Sequence, residues 1–111
     1  MSTICHIYMS DYVLPEEVTS PRLHWRLIRV LFKGDPNDAL NHDPENYSVA
    51  VGMWDDRPCL AIRWNAYEDR PVGNPHSRGL PTWFIVPAAL AEPILGTLTP
   101  EAQTFARSVL S

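Results

Sequence analysis

Residues 63–84 read RWNAYEDRPVGNPHSRGLPTWF and bring together side chains that bind or react. Arg63 and Arg78 suit planar, bidentate contacts with carboxylate or phosphate groups. His76 carries an imidazole and Ser77 a hydroxyl, so the adjacent pair raises the question of nucleophilic chemistry. Trp64 and Trp83 belong to the residue type most enriched at interaction hot spots, and Asn65 can both donate and accept hydrogen bonds.

Spacing narrows these options. Adjacent residues rarely form a nucleophile–base hydrogen bond, and no G-x-S-x-G elbow is present. Neither a Walker A sequence nor G-x-G-x-x-G occurs to cradle a phosphate. Transition-metal ligands would have to come from His6, His24, His42, His76, Cys5 and Cys59, none at C-x-x-C or H-x-x-x-H spacing. A calcium loop counted from Asp35 needs glycine sixth and glutamate twelfth, where Leu40 and Asn46 stand. The sequence therefore assigns no catalytic residue, no metal site and no cofactor.

What remains is a binding set, Arg63, Trp64, Asn65, His76, Ser77, Arg78 and Trp83, carried by two strand ends and the long connection between them. That connection runs to roughly 16 residues, and loops of such length inside a compact domain are usually functional or disordered. Pro71, Pro75 and Pro81 restrict its chain entropy and favour an ordered loop. Two arrangements suit it. Arg78, the Ser77 hydroxyl and backbone amides face an anionic partner, or Arg63 and Arg78 pair with Glu68 and Asp69 and clamp the loop to the sheet.

The elements that position this set follow from periodicity. Residues 47–54 and 59–65, YSVAVGMW and CLAIRWN, alternate around DDRP and predict a β-hairpin. Tyr47, Val49, Val51 and Met53 share one face with Leu60, Ile62 and Trp64; Ser48, Ala50, Gly52, Cys59 and Ala61 make a small-residue face that leaves room for a packed helix or a partner. Residues 82–87 predict a third strand and 4–9 an edge strand. Residues 34–46 are turn chemistry with several acids, an acidic surface loop.

For residues 20–33, SPRLHWRLIRVLFK, the helical period is cleaner than the strand period. Arg22, Arg26, Arg29 and Lys33 then fall within about 60° of one another, a basic face able to meet phosphates or an acidic protein. Ser20, Pro21 and Gly34 suit the cap positions of such a helix, and His24 would be a buried, hydrogen-bonded imidazole. Residues 88–95 predict a short helix interrupted at Pro93. Residues 99–110 predict another, capped by Thr99, with Ala102, Phe105, Ala106, Val109 and Leu110 facing the core.

The expected architecture is α+β: an antiparallel sheet of three to four strands with helices on one face, in the order β-α-β-β-β-α. Helix, three-strand meander and helix in succession resembles the double-stranded RNA-binding domain. That family relies on lysines at the start of its last helix, and PAALAEPILGTLTPEAQ holds no lysine or arginine, so no residue role transfers.

Totals set the outer bounds. At 111 residues with 45% hydrophobic content the chain reads as one globular domain. Residues 1–19 carry −3, 20–33 carry +4 and 34–58 carry −5, for a net −4 that argues against a generic nucleic-acid binder. Two cysteines, no leader and no membrane-length apolar run point to a reducing, cytoplasmic setting with buried thiols. The function expected is non-enzymatic binding of a protein partner or of a second copy, through the 63–83 loop. The alternatives are nucleic-acid contact through the basic face, and a small enzyme with His76 as acid–base and Arg63 and Arg78 holding an anionic substrate.

Overall fold

Period-2 alternation with β-branched and aromatic residues needs a paired strand to bury one face, and the clearest such pair closes as expected. A computed structural model of the chain describes residues 12–34, 46–66 and 70–111. Its strands are β1 (Trp25–Phe32), β2 (Tyr47–Trp54), β3 (Arg57–Trp64), β4 (His76–Ser77), β5 (Leu80–Pro81) and β6 (Phe84–Ile85); its helices are α1 (Ala91–Leu95) and α2 (Pro100–Leu110). The β2–β3 hairpin runs from Tyr47↔Trp64 to Trp54↔Arg57. Asp55 and Asp56 form its two-residue turn with φ of 49° and 67°, the left-handed geometry that matches strand twist. The turn therefore uses DD alone, and Arg57 and Pro58 belong to β3.

Among the described residues four strands form one antiparallel sheet in the order β1-β2-β3-β6, and β4-β5 is a separate small hairpin. The α+β architecture is as expected; the element order is not. Residues 20–33 are not a helix. After a turn in which His24 and Trp25 both donate to the Pro21 carbonyl, Trp25–Phe32 pairs with β2 from Trp25↔Trp54 to Phe32↔Val49. The register slips between Leu27 and Arg29 and again between Val30 and Phe32. Each slip inserts a residue and shifts the face, so the apolar spacing of a twice-bulged strand imitates a helical period. Gly34 does take positive φ, 62°, but it ends a strand. With a strand in place of the first helix, the order shared with double-stranded RNA-binding domains disappears.

The helical face carries the larger core: Val49, Val51 and Leu60 from the sheet meet Val86, Leu95, Leu98 and Ala106. Thr99 caps α2 through Ala102 N–H at 3.2 Å, and the expected stripe of Ala102, Phe105, Ala106, Val109 and Leu110 packs inward. On the opposite face Val18, Trp25, Ala50, Ala61 and Trp83 form a second core. The space left by small residues there is filled by the chain's own tryptophans. A Cβ on Gly52 would stand 2.4 Å from Trp25 Cη2, so glycine is what lets the indole lie on the strand. The strand predicted at 4–9 and most of the acidic loop at 34–46 fall outside the described residues, as do Cys5, Glu68 and Asp69.

Candidate functional site

Arg63, next to last in β3, and Asn65, just past its end, lie on the face shared with Ser48, and both side chains are buried. Asn65 accepts from Ser48 Oγ at 2.6 Å and donates to the Lys33 carbonyl and to Asn46 Oδ1, each at 2.7 Å. This network ties the ends of β1, β2 and β3 together. Gly34 lies so close that a Cβ there would stand 2.5 Å from the Tyr47 carbonyl.

Arg63, 3% exposed, organises the segment that follows. Its guanidinium donates to the carbonyls of Val72 and Thr82, the latter at 2.5 Å, with a longer contact of 3.5 Å to Pro75 O. Burial pulls its pKa down to about 10, so it remains charged at neutral pH. Among the described residues, Arg63 is held by backbone carbonyls; Glu68 and Asp69, the expected clamp, lie outside them. A reciprocal backbone pair between Trp64 and Asn74, at 2.8 and 3.2 Å, fastens the same segment to the end of β3. Beyond it β4 and β5 project as a hairpin whose turn is Arg78 and Gly79, with φ of 53° and 82°.

Anchored in this way, the segment walls off a groove of about 640 Å³ at the Tyr47–Trp64 end of the sheet. Tyr47 and Trp64 lie opposite each other in register, their ring centroids 6.4 Å apart and their planes at 82°. Ile62 lies beside Trp64 along β3, and Phe84 of β6 pairs with Ile62. Phe32 of β1 approaches Tyr47 from the other side at 5.0 Å between centroids. Each strand of the main sheet thus contributes one aromatic residue at this end. Trp64 is 49% and Phe84 53% exposed, which is unusual for rings this large beside a core. Asn74, Pro75 and His76 complete the wall.

The predicted set separates. Trp64, His76 and Arg63 line the groove; Asn65, Ser77, Arg78 and Trp83 do not. Trp83 is a core residue, 6% exposed, its indole N–H bonded to the Val18 carbonyl at 2.9 Å and its ring tilted against Trp25. Arg78 is exposed on the hairpin turn, and the neighbours His76 and Ser77 point to opposite faces of β4. Arg63 spends N–H groups on carbonyls, which removes the open fork that an anionic substrate would need.

The basic face is also dispersed. Arg22 lies in the turn before β1, Arg29 sits 3.8 Å over the Phe105 ring, and Lys33 pairs with Glu16, leaving Arg26 exposed on the bulged strand. Among the described residues β1 is the outer strand of the sheet, where cations and bulges hinder edge-to-edge pairing, a role that needs no phosphate. His24 is exposed, not buried; its Nδ1 lies 2.7 Å from Asp55 Oδ1 and its ring stacks on Trp54. Cys59 is a half-buried free thiol whose pKa is raised by burial. Among the described residues no cluster of His, Cys, Asp or Glu has the makings of a metal site, and no helix is long and apolar enough to cross a membrane.

Sequence reasoning missed Tyr47, Ile62 and Phe84 as site residues. The signal was present: alternation had already put Tyr47, Ile62 and Trp64 on one face, and helices too short to cover it would leave its end open. The fold and the groove together define a small α+β domain with an aromatic-lined concavity at a sheet end. Comparison with known proteins finds no family model, no curated protein and no solved structure that matches this chain.

Proposed function

We propose that this protein is a non-enzymatic binding domain that engages a protein partner by admitting one of its side chains into the groove between Tyr47, Trp64 and Phe84. The observation that carries the reading is the pair of half-exposed rings, Trp64 and Phe84, beside a concavity of about 640 Å³. Large aromatics with few rotatable bonds lose little entropy on contact, and they dominate interface energetics. The walls are preformed, because Arg63 and the Asn65 network order the flanking backbone before any partner arrives. The free Cys59 thiol is in keeping with the reducing, cytoplasmic setting inferred from composition.

The test is capture from the native host by cross-linking, with wild type and Trp64→Ala compared side by side and light scattering on both. Trp64 belongs to neither core cluster, so circular dichroism of the variant should match wild type. A partner enriched by wild type should lose affinity by about 30-fold or more on truncation of a hot-spot ring. If the partner is a second copy, the loss appears as dissociation of a dimer. Equal capture and unchanged oligomeric state by Trp64→Ala and by Phe84→Ala would overturn the reading.

A further inference from the structure

We propose that the β4–β5 hairpin is a finger that enters a concave, acidic site on the protein partner, where Arg78 at its tip meets a carboxylate. The inference rests on the chain being a protein-binding domain and adds a contact outside the groove, with the partner chemistry that this contact requires.

The turn carries a residue that does not suit it. Arg78 and Gly79 both take positive φ, 53° and 82°, and a two-residue turn of that kind favours asparagine, aspartate or glycine at its first position. The β2–β3 turn follows that rule with Asp55 and Asp56, and Asp55 also bonds to His24 at 2.7 Å. Among the described residues Arg78 is the one non-glycine with positive φ that is not an aspartate. Its Cβ crowds the backbone there, and among the described residues its guanidinium has no hydrogen bond, ion pair or ring contact to offset the strain. Strained positions without internal compensation cluster where a chain meets a ligand or a partner.

The tip also stands clear of the domain. Residues 76–80 are exposed, Leu80 to 59%, and a Cβ on Gly79 would find no heavy atom within 4 Å beyond its own chain neighbours. The base is fixed: Thr82 N–H donates to the Pro75 carbonyl at 3.0 Å, and the Arg63 guanidinium holds the Val72 and Thr82 carbonyls. A convex, ordered finger fits a concave surface and loses little entropy on entering it. Leu80, paired with Ser77 across the turn, adds an apolar contact beside the charge.

Charge sets the chemistry of the partner. Residues 70–91 contain Arg70, His76 and Arg78 and no aspartate or glutamate, so the finger offers a cation with no acid on its own segment. A guanidinium fork matches a carboxylate bidentately, and arginine is over-represented at interface hot spots. Phosphate would satisfy the same fork, but a chain of net −4 is repelled by a nucleic-acid backbone, which favours an acidic protein surface.

Two variants of the full chain test this. Arg78→Asn gives the turn a residue that suits it and removes the cation, so its urea midpoint should equal or exceed that of wild type. In cross-linking capture from the native host, the partner enriched by wild type should bind this variant about 10-fold or more weakly. Arg78→Lys places an amine at the tip, and carbodiimide then joins that amine to a carboxylate in contact with it. Lys33 is the single native lysine, so links from position 78 are separable by mass spectrometry. The linked residue should be an aspartate or glutamate of the same partner. Undiminished capture by Arg78→Asn, capture abolished by nuclease, a lowered urea midpoint, or no carboxylate link from position 78 overturns the inference. If Arg78→Asn captures normally and Trp64→Ala does not, the groove stands as the docking surface and the finger falls. If Trp64→Ala captures normally and Arg78→Asn does not, the groove falls and the finger stands. No capture by wild type overturns both.

Discussion

Arg63→Met isolates the interaction on which the groove wall depends. Methionine keeps much of the side-chain volume and removes every N–H. The carbonyls of Val72 and Thr82, both partly buried, lose a charged donor, and the 3.5 Å contact to Pro75 disappears with them. Hydrogen bonds from an ionised donor contribute about 1.5–3 kcal/mol each, and partial burial puts these two at the lower end. Relief of the desolvated charge offsets part of the loss, leaving about 2 kcal/mol of net destabilisation. The stranded carbonyls recover water only if the segment opens, so the damage should be local. Amide exchange at Thr82, which donates to Pro75 O, and at Asn74, which donates to Trp64 O, should accelerate. The β1–β2 pairing and α2 should keep their protection. Urea unfolding with hydrogen-exchange mass spectrometry measures both parts. Arg63→Lys should fall between, since donors clustered on one nitrogen cannot span carbonyls that a fork reaches. A stability change under about 0.5 kcal/mol with unaltered exchange across 70–82 would refute the argument.

Gly52→Ala should destabilise the domain by about 1–3 kcal/mol in chemical denaturation, because the new methyl would stand 2.4 Å from Trp25 Cη2 and 2.6 Å from the Arg26 carbonyl. Unchanged stability would mean that Trp25 does not lie on this strand. Burial raises the Cys59 pKa above its usual 9.0, so less of it is thiolate at pH 8. Its peptide should be alkylated by iodoacetamide more slowly than a free cysteine peptide, with the gap narrowing as the pH rises; equal rates at pH 8 would refute the burial.

The hairpin, the final helix with its Thr99 cap and the α+β class were legible because each rests on local rules: alternation, turn residues and caps. Residues 20–33 were not, since bulges at two points in β1 break the period that identifies a strand, and only pairing with β2 reveals it. Trp83 misled for a related reason. Its position at a strand start says nothing of direction, and the indole turns inward to Val18 and Trp25.

The candidate site divides along the same line. Sequence alone determined which residues stand at the end of β3, that Tyr47, Ile62 and Trp64 share a face, and that the connection after them is long and stiff. Tertiary structure decided which of them remain exposed. Arg63 and Asn65 are polar and read as surface ligands, yet the carbonyls of Val72, Thr82 and Lys33 draw them inward, because buried backbone acceptors require donors. Trp64, read as a binding residue, and Phe84, given no role by the sequence, both stay open beyond the reach of α1 and α2. Burial depends on what the rest of the chain brings to a residue, and no local pattern carries that information.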